Sequence, residues 1–153
     1  MNRKNDFLFL LILLPSVILS QNSDEETVLA SIHSKVIKID SLANVSVEEV
    51  ENGVIVWSHG NMKRELHTQI RLLEKDGKLQ RVCYRERKPK TDEDLSLYFE
   101  NSKLIYAELT TYNKKNLSTK KLYYQNEILV FPDDDDDEVN LLVKADVLKN
   151  RKQ

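Results

Sequence analysis

The chain has 153 residues, 41% hydrophobic and 31% charged, with a formal net charge of −2 and one cysteine. That balance argues against nucleic-acid binding, which rests on neutralising phosphates, and a single thiol excludes an intramolecular disulfide. With only three glycines, a backbone cradle for phosphate is also hard to build.

Met1 to Ser20 read as a secretory signal peptide. Asn2, Arg3 and Lys4 make a basic start, Phe7 to Leu19 is an almost unbroken apolar run, and Ser20 is a small residue before a cleavage point at Gln21. Pro15 interrupts the run, which is shorter than the ~20 apolar residues a spanning helix needs. No cysteine lies at its end, so the bacterial lipoprotein type of acylation is excluded. The remainder, residues 21–153, has the length of one domain. An exported domain stabilised without disulfides fits the periplasm better than outright secretion. No cofactor is expected.

Ser23 and Glu26 form a capping box, and Leu29, Ile32, Val36, Ile39 and Ala43 recur every three or four residues. Together they predict an amphipathic helix over 24–42 that covers one face of a sheet. Asn52-Gly53 is a strong hairpin signal, so strands are expected at 45–51 and 54–58, with Gly60-Asn61 closing the segment.

A gapless 25-residue repeat follows, centred on Asp76-Gly77, Asn101-Ser102 and Asn126-Glu127. Leu72, Leu97 and Leu122 precede the turns at one spacing; Leu79, Leu104 and Leu129 follow them at another. Each copy reads as strand, two-residue turn, strand. Internal duplication and an ordinary antiparallel meander both account for the spacing. Pro132 and the acidic run Asp133 to Glu138 end the sheet. Leu141, Leu142, Ala145 and Leu148 then predict a short helix, with a strand at 139–144 as the alternative.

The stretches Leu97 to Leu104 and Leu122 to Asn126 resemble hairpins of small exported bacterial proteins of uncharacterised activity. In those, a leading helix precedes an antiparallel sheet with repeated aromatic-x-Asn-Gly-Lys-Leu turns. A fainter similarity connects the region 66–131 to variant MORN hairpins, although the turn glycine is kept here only at Gly77. The resemblance implies a fold and an exported address, and no activity.

Candidate chemistry is sparse. A thiol nucleophile at Cys83 needs a base such as His67. If the Asp76-Gly77 turn sets a plain register, Ile70 faces Cys83 and His67 lies on the opposite face. His33, His59 and His67 fall in different elements without metal-ligand spacing. The candidate carboxylates Glu65, Glu74, Glu86, Glu100 and Glu108 are scattered like surface charges. Asp133, Asp135 and Asp137 are candidate calcium ligands, but the run lacks the glycine turn and spaced ligands of an EF-hand loop. Between Lys63 and Lys90, ten basic residues stand against four acidic ones. This excess either docks an anionic polymer or a protein, or faces the acidic run of the same molecule.

The expected architecture is α+β: a leading helix on an antiparallel sheet of six to eight strands, then a short C-terminal helix. The expected function is a non-catalytic exported binding or envelope-associated protein, an inhibitor of an exported enzyme being one form. Its partner is another exported or envelope protein, and its candidate contact residues are Arg81, Arg85, Tyr98, Tyr106 and Tyr123 on an open sheet face. A small carboxylate-dependent hydrolase and a calcium-dependent adhesion module are the alternatives.

Overall fold

Three two-residue turns organise the sheet. Asp76-Gly77, Asn101-Ser102 and Asn126-Glu127 all have positive φ at both positions, between 50° and 69°. This geometry matches the right-handed twist of the strands that each turn joins. The computed structural model describes residues 6–59, 62–113, 116–132 and 138–150. Its elements are α1 (Asp6–Ala43), β1 (Glu49–His59), β2 (Met62–Lys75), β3 (Lys78–Arg87), β4 (Thr91–Glu100), β5 (Lys103–Asn113), β6 (Asn116–Gln125), β7 (Ile128–Phe131) and α2 (Glu138–Lys149). The seven strands form one antiparallel meander in chain order, β1 at one edge and β7 at the other. The expected α+β architecture is the observed one.

Each hairpin of the repeat carries the same irregularity. Glu74 pairs with Leu79 but Leu73 pairs with Arg81, so Gln80 is an extra residue. Ile105 and Val130 are its counterparts in the next two copies. A bulge of this kind lets neighbouring residues share a face. Ile105 and Tyr106 both lie in the cluster beneath α1, where Val130 also packs. The turns carry a cost, because Ser102 and Glu127 hold left-handed backbone that side chains disfavour. Ser102→Gly and Glu127→Gly are each expected to stabilise the fold by about 0.5–1 kcal/mol, read from urea midpoints.

Two helices sandwich the turn-proximal end of the sheet. Ile32 and Ile39 of α1 are buried against Leu73, Tyr98, Ile105, Tyr106 and Tyr123. Leu141, Ala145 and Leu148 of α2 are buried against the other face, over Leu72, Val82, Leu97, Phe99, Leu122 and Tyr124. The predicted terminal helix is therefore present. Among the described residues, no helix is long and apolar enough to cross a membrane.

Three expectations are corrected. The first helix starts at Asp6 rather than near residue 24. The Leu- and Ile-rich run before it is itself helical, so residues 23–26 lie mid-helix and the capping box does not begin the element. Asn52-Gly53 is not a turn. β1 runs straight through it and pairs with β2 at eleven positions, from Glu49↔Leu72 to His59↔Met62. Gly53 serves close approach instead: a Cβ there would sit 2.7 Å from Thr68 Oγ1, and Gln69 Nε2 donates to Asn52 Oδ1 at 3.1 Å. β1 ends at His59 and β2 starts at its partner Met62, and Gly60-Asn61, expected to close this segment, lies outside the described residues. Finally, the bulge puts Cys83 opposite Arg71, not Ile70. Cys83 thus shares the face of His67, but about 13 Å along the strands from it.

Candidate binding surface

On the α1 side, the registers line side chains up in rows across the strands. The row nearest the turns reads Leu73, Arg81, Tyr98, Tyr106, Tyr123 and Phe131. Four of the five candidate contact residues therefore stand together. They do not lie on an open face, however, because α1 crosses directly above them. Tyr98, Tyr106 and Tyr123 are 7%, 3% and 7% exposed, and their rings pack tilted against one another at centroid distances of 5.4 and 4.9 Å. The residues that cover this row are the stripe of α1 itself.

Arg81 fastens that helix. Its guanidinium donates to Asp40 Oδ1 of α1 at 2.5 Å and to Glu48 Oε1 of the following linker at 2.6 Å. Tyr98 donates to the same Asp40 oxygen at 3.0 Å. Burial works against the Arg81 charge, but the bonds to Glu48 and Asp40 outweigh it and hold the proton more firmly than usual. Burial likewise raises the Tyr98 and Tyr106 phenols above their ordinary value; hydrogen bonds to Asp40 and Glu108 add to the effect. This row is a structural clasp.

Beyond the helix, three further rows remain open. One reads Val50, Arg71, Cys83, Ser96, Glu108 and Lys121; the next Asn52, Gln69, Arg85, Asp94, Thr110 and Thr119; the last Val54, His67, Arg87, Asp92, Tyr112 and Leu117. Arg85 lies here, bidentate to Asp94 at 2.6 and 3.0 Å, and that hydrogen-bonded pair raises its pKa. Arg87 pairs with Asp92. The basic excess of β3 is thus met by the acids of β4, the strand beside it. Tyr112 and Leu117 project from this surface 44% and 66% exposed. Tyr112 and Leu117 were not among the candidates read from the sequence, and Arg87 entered there only as part of the basic excess between Lys63 and Lys90. Only the strand register reveals their common row.

The opposite face holds a buried-edge ion cluster where α2 passes over the sheet. Glu86 and Glu93 are cross-strand partners, and Lys88 and Lys144 both reach the two carboxylates, at 2.7 to 3.7 Å. Tyr84 donates to Glu86 at 3.3 Å. Burial resists the Glu93 charge, yet the Lys88 and Lys144 ammoniums hold its carboxyl below the ordinary 4.5. A general acid needs the opposite shift. Glu93 contributes stability that is complete above pH 4.5 and is lost as the pH falls through its depressed folded value. Between about pH 6 and pH 3 the urea midpoint is therefore expected to fall further for the wild-type chain than for Glu93→Gln.

Cys83 Sγ is 3.8 Å from Ser96 Oγ and has no base beside it in that contact. His33 Nε2 approaches the Tyr123 hydroxyl at 3.4 Å, beside the clasp. Among the described residues, no group of three or more His, Cys, Asp or Glu could hold a metal ion. Asp133, Asp135 and Asp137 lie outside the described residues. Comparison with family models, curated proteins and solved structures finds no match to this chain.

Proposed function

We propose that this chain is an exported, non-catalytic binding module that recognises another exported or envelope protein through the helix-free rows of its sheet. The observation that carries this reading is the row Val54, His67, Arg87, Asp92, Tyr112 and Leu117. It places arginine, tyrosine and aliphatic side chains on one solvent-facing surface, stiffened by cross-strand pairing. Exposed aromatic and arginine side chains of this kind are enriched at protein interfaces. Rigid strands also present them at little cost in conformational entropy.

The exported address is supported by the basic start and apolar run of residues 1–20. It also agrees with the packing of α1, whose described contacts with the sheet, from Val28 to Ala43, all lie beyond Gln21. Cleavage before Gln21 leaves every one of those contacts in place, and it makes Ser23 and Glu26 the cap of a shortened helix.

The test is recovery of the C-terminally tagged chain from the exported fraction of its host after mild cross-linking. The expected result is an N-terminus near Gln21 and one exported partner whose yield falls at least tenfold on Arg87→Glu or Tyr112→Ala. Retention inside the cell, or capture unaffected by either change, contradicts the reading. Arg81 is unsuitable for this experiment, because its loss releases α1.

A further inference from the structure

The two edges of the sheet differ in kind. β7 is four residues long, ends at Phe131 and is followed by Pro132 and five aspartates. Short length, proline and charge are the means by which a sheet edge is closed to further pairing. β1 is neither short nor broken by proline, and its carboxylates, Glu49 and Glu51, stand at its start. It is eleven residues long, EVENGVIVWSH, without proline, lysine or arginine. Val50, Val54 and Val56 all stand half exposed on its α1-side face, since each has a cross-strand neighbour in β2 and, among the described residues, no strand on the outer side. Val45 and Val47, in the linker that leads into it, are 82% and 95% exposed. Among the described residues, five of the twelve exposed large hydrophobics fall within this stretch of twelve.

We infer that two copies of the chain pair antiparallel through β1, forming one continuous sheet across a two-fold axis. The occupant is argued from the strand's own pattern. Centred on Gly53, a two-fold register sets Val50 opposite Val56 of the second copy and Asn52 opposite Val54. The apolar stripe then continues across the junction on one face. Glu49 and Glu51 fall opposite positions 57 and 55 of the second copy and never opposite one another, so like charges do not meet. Side chains i and j of an antiparallel pair share a face only when the register keeps their parity, and this one does. Because β7 is closed, the second copy offers no further edge, and assembly stops at two. The inference uses the strand edge and the proposed partner surface the flat of the sheet; the two share Val54, at the β1 end of the partner row.

The test is sedimentation of the chain as recovered from its host, over a range of micromolar concentrations. The expected result is a dimer. Val54→Lys combined with Val56→Lys is expected to weaken association at least tenfold by lining both facing edges with positive charge, whereas Ile128→Lys on the β7 edge leaves it unchanged. A wild-type chain that stays monomeric overturns the inference, as does a dimer that survives the β1 lysines or is lost with Ile128→Lys. Should the lysine variant fail to fold, hydrogen exchange of the wild-type chain decides. Protection of β1 amides must rise with concentration while that of β7 does not, and a concentration-independent β1 overturns the inference. A monomer that still captures its partner through Arg87 removes this inference alone. A dimer that captures nothing removes the proposed function alone.

Discussion

Replacing Arg81 with leucine is expected to lower stability by about 3 kcal/mol, measured as a shift in urea midpoint. The arginine is 13% exposed at its side chain, as is Glu48 at 14%, so its removal leaves a carboxylate in a partly buried site without its main counter-charge. Asp40 loses one of its two donors at the same time. Arg81→Lys is expected to recover little. A single ammonium cannot reproduce the fork with which Arg81 reaches Asp40 and Glu48 through different nitrogens. If the contact were an ordinary surface ion pair, either change would cost less than about 1 kcal/mol. A Glu48→Gln background separates the two cases: Arg81→Leu should cost clearly less there, because the stranded charge is already gone.

Leu97→Ala is expected to cost about 3–4 kcal/mol by the same measurement. Leu97 is fully buried in the middle of the sheet, in a row with Leu72, Val82, Ala107 and Leu122. Ala107 beside it is too small to fill a cavity, and α2 closes the space from above through Leu141, Ala145 and Leu148. Little can relax into the void, so the cost falls in the upper part of the usual range for leucine truncation. The loss of the α1 clasp and the loss of this core act on opposite faces. Their effects should therefore add in an Arg81→Leu/Leu97→Ala double variant, within about 0.5 kcal/mol.

What the sequence made legible was local. The turns at Asp76-Gly77, Asn101-Ser102 and Asn126-Glu127 announce themselves through turn chemistry and a constant spacing, and they place the strands that flank them. The stripe of α1 and the apolar positions of α2 are periodic and equally plain. Asn52-Gly53 shows the limit. The same dipeptide that makes a hairpin elsewhere was overridden by eleven cross-strand pairs with β2, a gain visible only once β2 is known to lie alongside. The bulge at Gln80 is a second case. One extra residue leaves the local pattern unchanged but reverses which residues of β2 and β3 share a face, and so it moved Cys83 to the side of Arg71. The tyrosines among the candidate contact residues, Tyr98, Tyr106 and Tyr123, were expected on an open face and are covered, for a related reason. Tyrosines on a strand read as available until the helix that covers them is placed, and the apolar stripe of α1 does not say which row it covers. The clusters around Arg81 and Glu93 each join at least three elements, and no spacing within one segment reports them.

Tyrosine labelling of the intact native chain tests the central claim most directly, namely that α1 seals the tyrosine row while the rows beyond it stay open to a partner. After brief exposure to a tyrosine-specific reagent, fragmentation of the labelled peptides assigns each of the six tyrosines, the adjacent Tyr123 and Tyr124 included. Tyr112, 44% exposed, is expected to react first, with Tyr98, Tyr106 and Tyr123 at least tenfold slower and released together by Arg81→Leu. If Tyr98, Tyr106 and Tyr123 react as fast as Tyr112 in the wild-type chain, α1 does not cover that face. The recognition surface then belongs on the tyrosines themselves.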